Sequence, residues 1–110
     1  GNGARIHKQR NFKQLLNMEI KGKVINVKPV ETVGANNFKK ASIWVETTTD
    51  QYPQTIEIEF VKDKADEIQT IEVGSDVTVK INIRGRKWTG NDGVEKVFTS
   101  IQGWNVESNF

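Results

Sequence analysis

The sequence predicts a single all-β domain of five strands, with one short helix between the third and the fourth strand. Short runs rich in β-branched residues alternate apolar with polar positions, which is the pattern of half-buried strands. Segments containing Gly, Asn or Pro separate these runs, and only one stretch carries helical signals. At 110 residues the chain is long enough for one modest core and too short for two.

Residues 1–17 differ from the rest of the chain. They carry four basic side chains and no acidic one, and the only methionine, Met18, follows them. We interpret residues 1–17 as a basic leader that is dispensable for the folding of the domain at residues 18–110. Two alternatives stay open: the apolar residues of the leader pack against the domain, or its basic residues contact phosphates.

Period-two alternation predicts the first three strands. The first covers residues 18–27, and its apolar parity switches near Gly22, which indicates a bulge or a sharp coil. Such a feature lets one strand serve two sides of a barrel. Residues 30–37 are predicted to form a loop, residues 38–48 the second strand and residues 54–61 the third. In the second strand, the residues predicted to point inward are Ala41, Ile43 and Val45.

A helix is predicted over residues 63–71, because Asp63 suits the N-cap position and further acidic residues suit the first turn. The residues predicted to share one face of it are Ala65, Ile68 and either Ile71 or Glu72. The chain then forms a long hairpin. One strand begins at Val77, the turn is Thr-Gly-Asn-Asp-Gly, and the last strand covers residues 94–106.

Composition restricts the possible functions. No apolar run approaches the roughly 18 residues of a membrane span, so we expect no membrane partner. Without cysteine there is no disulfide or thiolate site, which is compatible with the cytoplasm, where we expect the protein. The only histidine, His7, lies in the leader, so the domain cannot assemble a Ser-His-Asp triad or a His/Cys zinc site. We expect no enzyme activity and no cofactor.

The net charge of +2 is unevenly distributed. Outside the leader, 14 acidic residues outnumber 12 basic ones. A site for a polyanion must therefore be a local basic patch, because the field of the whole domain does not attract one.

The long hairpin carries such a patch. After Val77, apolar positions alternate with polar ones that include Lys80, and the strand continues into Arg84-Gly85-Arg86-Lys87-Trp88. Cations bind phosphates while an indole ring stacks on a base, so this segment suits a single strand of nucleic acid. The alternative is a solvated hairpin whose cations only maintain solubility.

The order of the elements resembles the OB-fold, a five-stranded Greek-key barrel. Gly74-Ser75, followed by a strand and then by Arg84-Gly85-Arg86-Lys87-Trp88-Thr89, is similar to bacterial single-stranded DNA-binding proteins. From Met18 the chain also resembles an uncharacterised family of short OB-like proteins from Bacteroidetes. The resemblance covers roughly residues 18–107.

This resemblance implies that the chain binds single-stranded nucleic acid, DNA rather than RNA, with little sequence preference. It places along the bound strand the residues Arg84, Arg86, Lys87 and Trp88. It would also match Phe60 to a stacking aromatic, but local alternation turns Phe60 inward and leaves Glu57 and Glu59 outward. Carboxylates on that face oppose phosphate binding, so we favour Phe60 as a core residue.

Trp44 is the better candidate for a second ring. Its parity in the second strand places it with Phe38 and Lys40, on the side opposite the apolar residues. The predicted binding set is therefore completed by Phe38, Lys40, Trp44 and Lys80. Alternatively, Trp44 packs under the leader or against another subunit. Trp104, late in the last strand, is interpreted as a packing residue.

Two further expectations concern partners. The edge of the first strand at residues 19–23 invites pairing between subunits, so we expect a dimer or a tetramer. The second candidate function is an OB-type protein–protein adaptor, which the acidic balance of the domain and Glu57 and Glu59 favour.

Overall fold

A computed structural model describes residues 18–48 and 51–108, and the leader lies outside this range. The described part contains six strands, one α-helix and one 3₁₀ turn. Their bounds are β1 Glu19–Val27, β2 Glu31–Val33, β3 Phe38–Thr47, β4 Thr55–Val61, α1 Asp63–Glu67, the 3₁₀ turn Ile68–Thr70, β5 Asp76–Thr89 and β6 Glu95–Ser108.

The strands form one closed sheet. Their order is β1-β5-β6-β4-β3-β2, and an additional pairing of β1 with β3 closes the barrel. The neighbours are antiparallel except β4 and β6, which meet in parallel at Glu59 and Gln102. With α1 between β4 and β5, this arrangement confirms the predicted all-β OB-fold barrel. The strand count is six rather than five.

The additional strand is β2. The sequence predicts a loop over residues 30–37, whereas Glu31–Val33 pairs with the start of β3 and the loop shrinks to residues 34–37. Gly34 and Asn37 adopt positive φ angles of 74° and 52°, which the short reversal requires. Glycine and asparagine tolerate this backbone region better than other residues.

The predicted coil of the first strand is present in β1. Gly22 pairs with Val77 of β5 and with Thr47 of β3, so it is the point where one strand serves both sides. A Cβ atom here would overlap the carbonyl oxygen of Glu46, so only glycine permits this approach. The register shift itself lies two residues further on, between Val24 and Asn26.

The core confirms the predicted alternation. Inward positions of the strands and of the helix are buried, while their neighbours in sequence face outward. The buried apolar residues are Val24, Ala41, Ile43, Val45, Ile58, Phe60, Ala65, Ile68, Val77, Val79 and Ile81. Phe60 is fully buried, which agrees with its interpretation as a core residue and removes it from any base-stacking surface.

The helix is shorter than predicted. It ends at Glu67 and continues as the 3₁₀ turn to Thr70, while Ala65 and Ile68 are buried as expected. The N-cap is Lys62 rather than Asp63, and no side chain caps the first turn. Lys62 has a φ of 58°, and its carbonyl accepts a hydrogen bond from the backbone N–H of Ala65 at 3.1 Å. No helix in the described part is long and apolar enough to cross a membrane.

The hairpin of β5 and β6 extends beyond the barrel. β1 pairs with β5 only as far as Lys80, and β4 meets β6 at Gln102. Among the described residues, 83–101 therefore pair only within the hairpin itself, and we call this segment the arm. Its side chains are mostly exposed on both faces.

Candidate nucleic-acid interface

One face of the arm combines cations with aromatic rings. Side chains on a strand alternate between faces, and directly paired residues of neighbouring strands share a face. The cross-strand pairs on this face are Arg84 with Ser100, Arg86 with Phe98 and Trp88 with Lys96. We call these six residues the arm face.

The two arginines of the arm face have no partner within the described part of the chain. Neither Arg84 nor Arg86 makes an ion pair or a hydrogen bond there, and both are exposed. They stand two residues apart on one strand, which is about 6.8 Å along the strand axis. Each guanidinium carries five N–H donors that are free to bind phosphate oxygens.

Two rings accompany these arginines. Trp88 is 46% exposed, and the Nζ atom of Lys96 lies 6.0 Å from the centre of its ring. Gly90 provides room for the indole, since a Cβ atom there would lie 3.0 Å from Trp88 Cη2. Phe98 is 54% exposed. Phe98 is not among the residues predicted from the sequence, because only the register between β5 and β6 shows that it stands opposite Arg86.

Lys87 is separated from the other three residues predicted to bind within its motif, Arg84, Arg86 and Trp88. Adjacent strand residues point to opposite faces, so Lys87 lies on the reverse side of the arm from Arg86 and Trp88. Its Nζ atom is 3.5 Å from Glu95 Oε1, and both side chains are exposed. The geometry therefore does not bring Lys87 to the arm face.

Lys80 continues the line of β5 towards the barrel, where it is already engaged. Its Nζ atom lies 4.0 Å from Glu107 Oε1 and 5.6 Å from the ring centre of Trp104. Trp104 is 43% exposed, so its interpretation as a packing residue is wrong. A register shift between Lys80 and Ile81 adds one residue to β6, which leaves Trp104 outside while Gly103 points inward.

The second predicted group lies on the outer side of β3 and β4. Phe38, Lys40 and Trp44 share one side of β3, as their parity predicts, and Phe38 is exposed. Lys40 Nζ lies 2.9 Å from Glu59 Oε1. The hydrogen bond to Glu59 raises the pKa of Lys40, against a smaller opposing effect of burial. This lysine is therefore not a free cation.

Trp44 is half-buried, and its polar edge is occupied. Its Nε1–H donates to Glu57 Oε2 at 2.8 Å, and the hydroxyl of Ser42 donates to the same oxygen at 3.3 Å. The cation near its ring is Lys28, with Nζ at 5.5 Å from the centre, rather than Lys40. Trp44 thus already has partners within its own chain.

A groove lies between the outer side of β3 and β4 and the arm. It has a volume of about 650 Å³, and Glu59 lies in it together with both arginines of the arm face. Its main lining residues are Lys40, Glu59, Arg84, Arg86, Phe98 and Ser100. Of the eight residues predicted to bind, the structure brings Lys40, Arg84 and Arg86 to this groove. Trp88 lies further along the arm, while Trp44 and Lys80 are engaged elsewhere.

Solved structures with the same fold include single-stranded DNA-binding proteins. The mitochondrial single-stranded DNA-binding protein Rim1 of S. cerevisiae superposes with a TM-score of 0.60 at 16% sequence identity, over 84% of this chain and 92% of that chain. The SSB domain of a Synechococcus sp. protein superposes with a TM-score of 0.61 at 14% identity, over 82% and 92% respectively. At these identities the likeness establishes the shared fold.

Comparison of sequences assigns the chain to a family. No curated protein matches it significantly. A family model matches residues 19–107, which is the whole barrel together with the arm. The chain therefore belongs to the family described as Domain of unknown function (DUF3127).

Proposed function

We propose that this protein binds single-stranded nucleic acid, DNA in preference to RNA, without catalysing a reaction. The observation that carries the proposal is the arm face. There Arg84 and Arg86 lack partners within the described part of the chain, and the exposed rings of Trp88 and Phe98 stand beside them. Free guanidinium groups beside exposed rings are the combination that single-strand binders use.

The arginines would hold the phosphates, and the rings would stack on successive bases. Every base has a stacking surface, so stacking by itself selects little sequence. The shared fold supports this assignment, because both similar structures carry the description of single-stranded DNA binding or of an SSB domain in their names.

The acidic residues of the barrel restrict the path of the strand. Glu57 and Glu59 face outward on β4, and Lys40 is paired with Glu59. Phosphates are therefore favoured along the arm and disfavoured across the outer side of β3 and β4. Trp44 and Lys40 would be secondary contacts.

Fluorescence anisotropy with a labelled single-stranded oligonucleotide tests the proposal. About 30 nucleotides suffice for more than one OB domain, each of which covers about 4–16 nucleotides. We expect binding that weakens as the salt concentration rises, and weaker binding to an RNA oligomer and to duplex DNA of the same length. The absence of salt-sensitive binding at low salt would refute the proposal.

We further propose that the protein assembles into a dimer or a tetramer. The reverse face of the arm carries the exposed apolar side chains of Ile83 and Val97, the latter 69% exposed, beside the ion pair of Lys87 with Glu95. The free edge of β1 is shorter than the sequence predicts, because Gly22 and Lys23 pair on both sides, which leaves residues 19–21 as its open edge within the described part of the chain. The apolar reverse face is thus the better candidate for contact between subunits.

The same apolar reverse face supports a protein–protein adaptor as the second candidate function. An adaptor would use Ile83 and Val97 to hold another polypeptide, and it would not need the free arginines on the opposite side. The oligonucleotide titration separates the two candidates, since an adaptor shows no salt-sensitive binding to a single strand.

A further inference from the structure

The groove beside the arm face contains the carboxylate of Glu59. A site that binds only phosphate would not include a carboxylate, because the two anions repel each other. Glu59 lies between Lys40 on one side and Arg84 and Arg86 on the other. It lies at the point where β4 meets β6, and it is paired with Ser42 of β3 and with Gln102 of β6. Its backbone position is therefore held from both sides, and its side chain lines the groove.

The two oxygens of this carboxylate are in different situations. Oε1 binds Lys40 Nζ at 2.9 Å, whereas Oε2 accepts no hydrogen bond within the described part of the chain. An ionised carboxylate can only accept hydrogen bonds. Oε2 therefore offers one unfilled acceptor, which repels phosphate oxygens and suits an N–H donor.

The other side of the groove offers donors and a ring. Arg84 and Arg86 carry free N–H groups, and Phe98 forms an apolar wall next to them. The groove, of about 650 Å³ and open to solvent, is large enough to admit one base. One acceptor facing several donors is a pattern that matches the edge of a base better than it matches a phosphate.

We propose that this groove is a subsite for a base that carries both an amino group and a carbonyl group on its pairing edge, namely cytosine or guanine. Glu59 accepts from the amino group, Arg84 donates to the carbonyl, and Phe98 stacks against the ring, which leaves Arg86 to a phosphate. Thymine and uracil have no amino group, and adenine has no carbonyl. The subsite rests on the proposed function and adds a base preference to it.

The test compares single strands of about 15 nucleotides, roughly the span of one OB domain. Labelled oligo(dC), oligo(dT) and oligo(dU) are titrated at mildly alkaline pH, where cytosine is not protonated. All three are pyrimidines, and oligo(dU) controls for the methyl group of thymine. We expect oligo(dC) to bind at least about 5-fold more tightly than the other two, the lower end of the discrimination that such base contacts provide.

Two matched variants assign the preference to Glu59. Glu59→Gln removes the charge and weakens the acceptor, so affinity rises for oligo(dT) and oligo(dU) and the preference for oligo(dC) falls towards unity. Glu57→Gln removes the same charge two residues away on the same side of β4, outside this groove but beside Trp44. It should raise all affinities and leave the preference unchanged. Circular dichroism checks that both variants are folded.

The titrations distinguish a failure of the subsite from a failure of the proposed function. Equal binding of oligo(dC) and oligo(dT) by the unaltered protein overturns the subsite and leaves the proposed function standing. An unchanged preference in Glu59→Gln also overturns the subsite. The absence of binding to any of the oligomers overturns the proposed function and the subsite with it.

Discussion

Gly103 of β6 lies against the ring of Phe60 at the seam where β4 and β6 meet. A Cβ atom on residue 103 would lie 2.5 Å from Phe60 Cε1 and 3.0 Å from Ile58 Cγ2. Gly103 has no positive φ, so its role is the close approach rather than an unusual backbone conformation. The absence of a side chain at this position allows the fully buried ring of Phe60 to fill the barrel.

Gly103→Ala should therefore destabilise the protein. Overpacking a core by one methyl group costs about 1–3 kcal/mol in the free energy of unfolding. Urea denaturation followed by tryptophan fluorescence measures this difference. Gly85→Ala in the arm is the matched control, because the added Cβ would meet nothing closer than 3.9 Å. Its effect should stay within about 1 kcal/mol in either direction, and equal losses in both variants would contradict the argument.

Trp88→Ala should weaken the binding of a single strand. Stacking on one aromatic ring contributes roughly 1–3 kcal/mol per base, which corresponds to about 5- to 150-fold in affinity. The loss should persist at all salt concentrations, because stacking involves no counterions. The ring is 46% exposed on the arm, so the thermal unfolding midpoint should change little. An affinity equal to that of the unaltered protein would exclude Trp88 from the interface.

Arg86→Ala and Lys87→Ala form a matched pair, because the two cations are adjacent in sequence and lie on opposite faces of β5. Arg86 has no partner among the described residues, whereas Lys87 Nζ is 3.5 Å from Glu95 Oε1. Losing one phosphate contact should flatten the dependence of log affinity on log salt by about 0.7 for a single strand.

We expect this flattening for Arg86→Ala and an unchanged slope for Lys87→Ala, measured by anisotropy titrations over a range of salt concentrations. If both variants flatten the slope equally, the strand contacts both faces of the arm, and the arm face is not the whole binding surface.

The proposed self-association should depend on the reverse face of the arm. Light scattering should give the mass of a dimer or a tetramer at micromolar concentration. Val97→Glu should shift the protein towards the monomer, since it places a charge on an apolar contact. Val73→Glu is the control: Val73 is similarly exposed but lies outside the arm, before Gly74. A monomer at every concentration of the unaltered protein would remove this proposal.

The leader should be dispensable for folding. A chain that begins at Met18 retains every described strand, and we expect its melting temperature to stay within a few degrees of that of the full chain. Differential scanning calorimetry of the two chains provides the comparison. A large loss of stability or solubility would mean that the apolar residues of the leader pack against the barrel.

Much of the barrel could be predicted from local patterns. The inward positions of β3 and β4, such as Ile43, Ile58 and Phe60, follow from period-two alternation, and the same alternation exposes Glu57 and Glu59. The positions of β2 and of the helix cap were missed. A three-residue strand has too short a pattern to stand out, and the conformation of Lys62 depends on its backbone N–H donating to Lys39 of β3.

The candidate site was only partly predictable. Arg84, Arg86 and Trp88 share a parity, so the sequence alone could place them on one face of a strand. The same alternation places Lys87 on the opposite face. The resemblance to single-stranded DNA-binding proteins, however, groups Lys87 with the other three as one binding motif. Phe98 and Glu59 could not be associated with the arginines, because they belong to other strands.

By itself, the sequence determined the alternating faces of each strand, the order of the elements and the separation of the basic leader from the acidic domain. These features depend on neighbouring residues, whose spacing the covalent chain sets. Only the tertiary structure decided that Phe98 stands opposite Arg86, that Glu59 lies in the groove beside Arg84, and that Gly103 receives the ring of Phe60. Strand register and barrel closure set these contacts, because they bring together residues that are far apart in the chain.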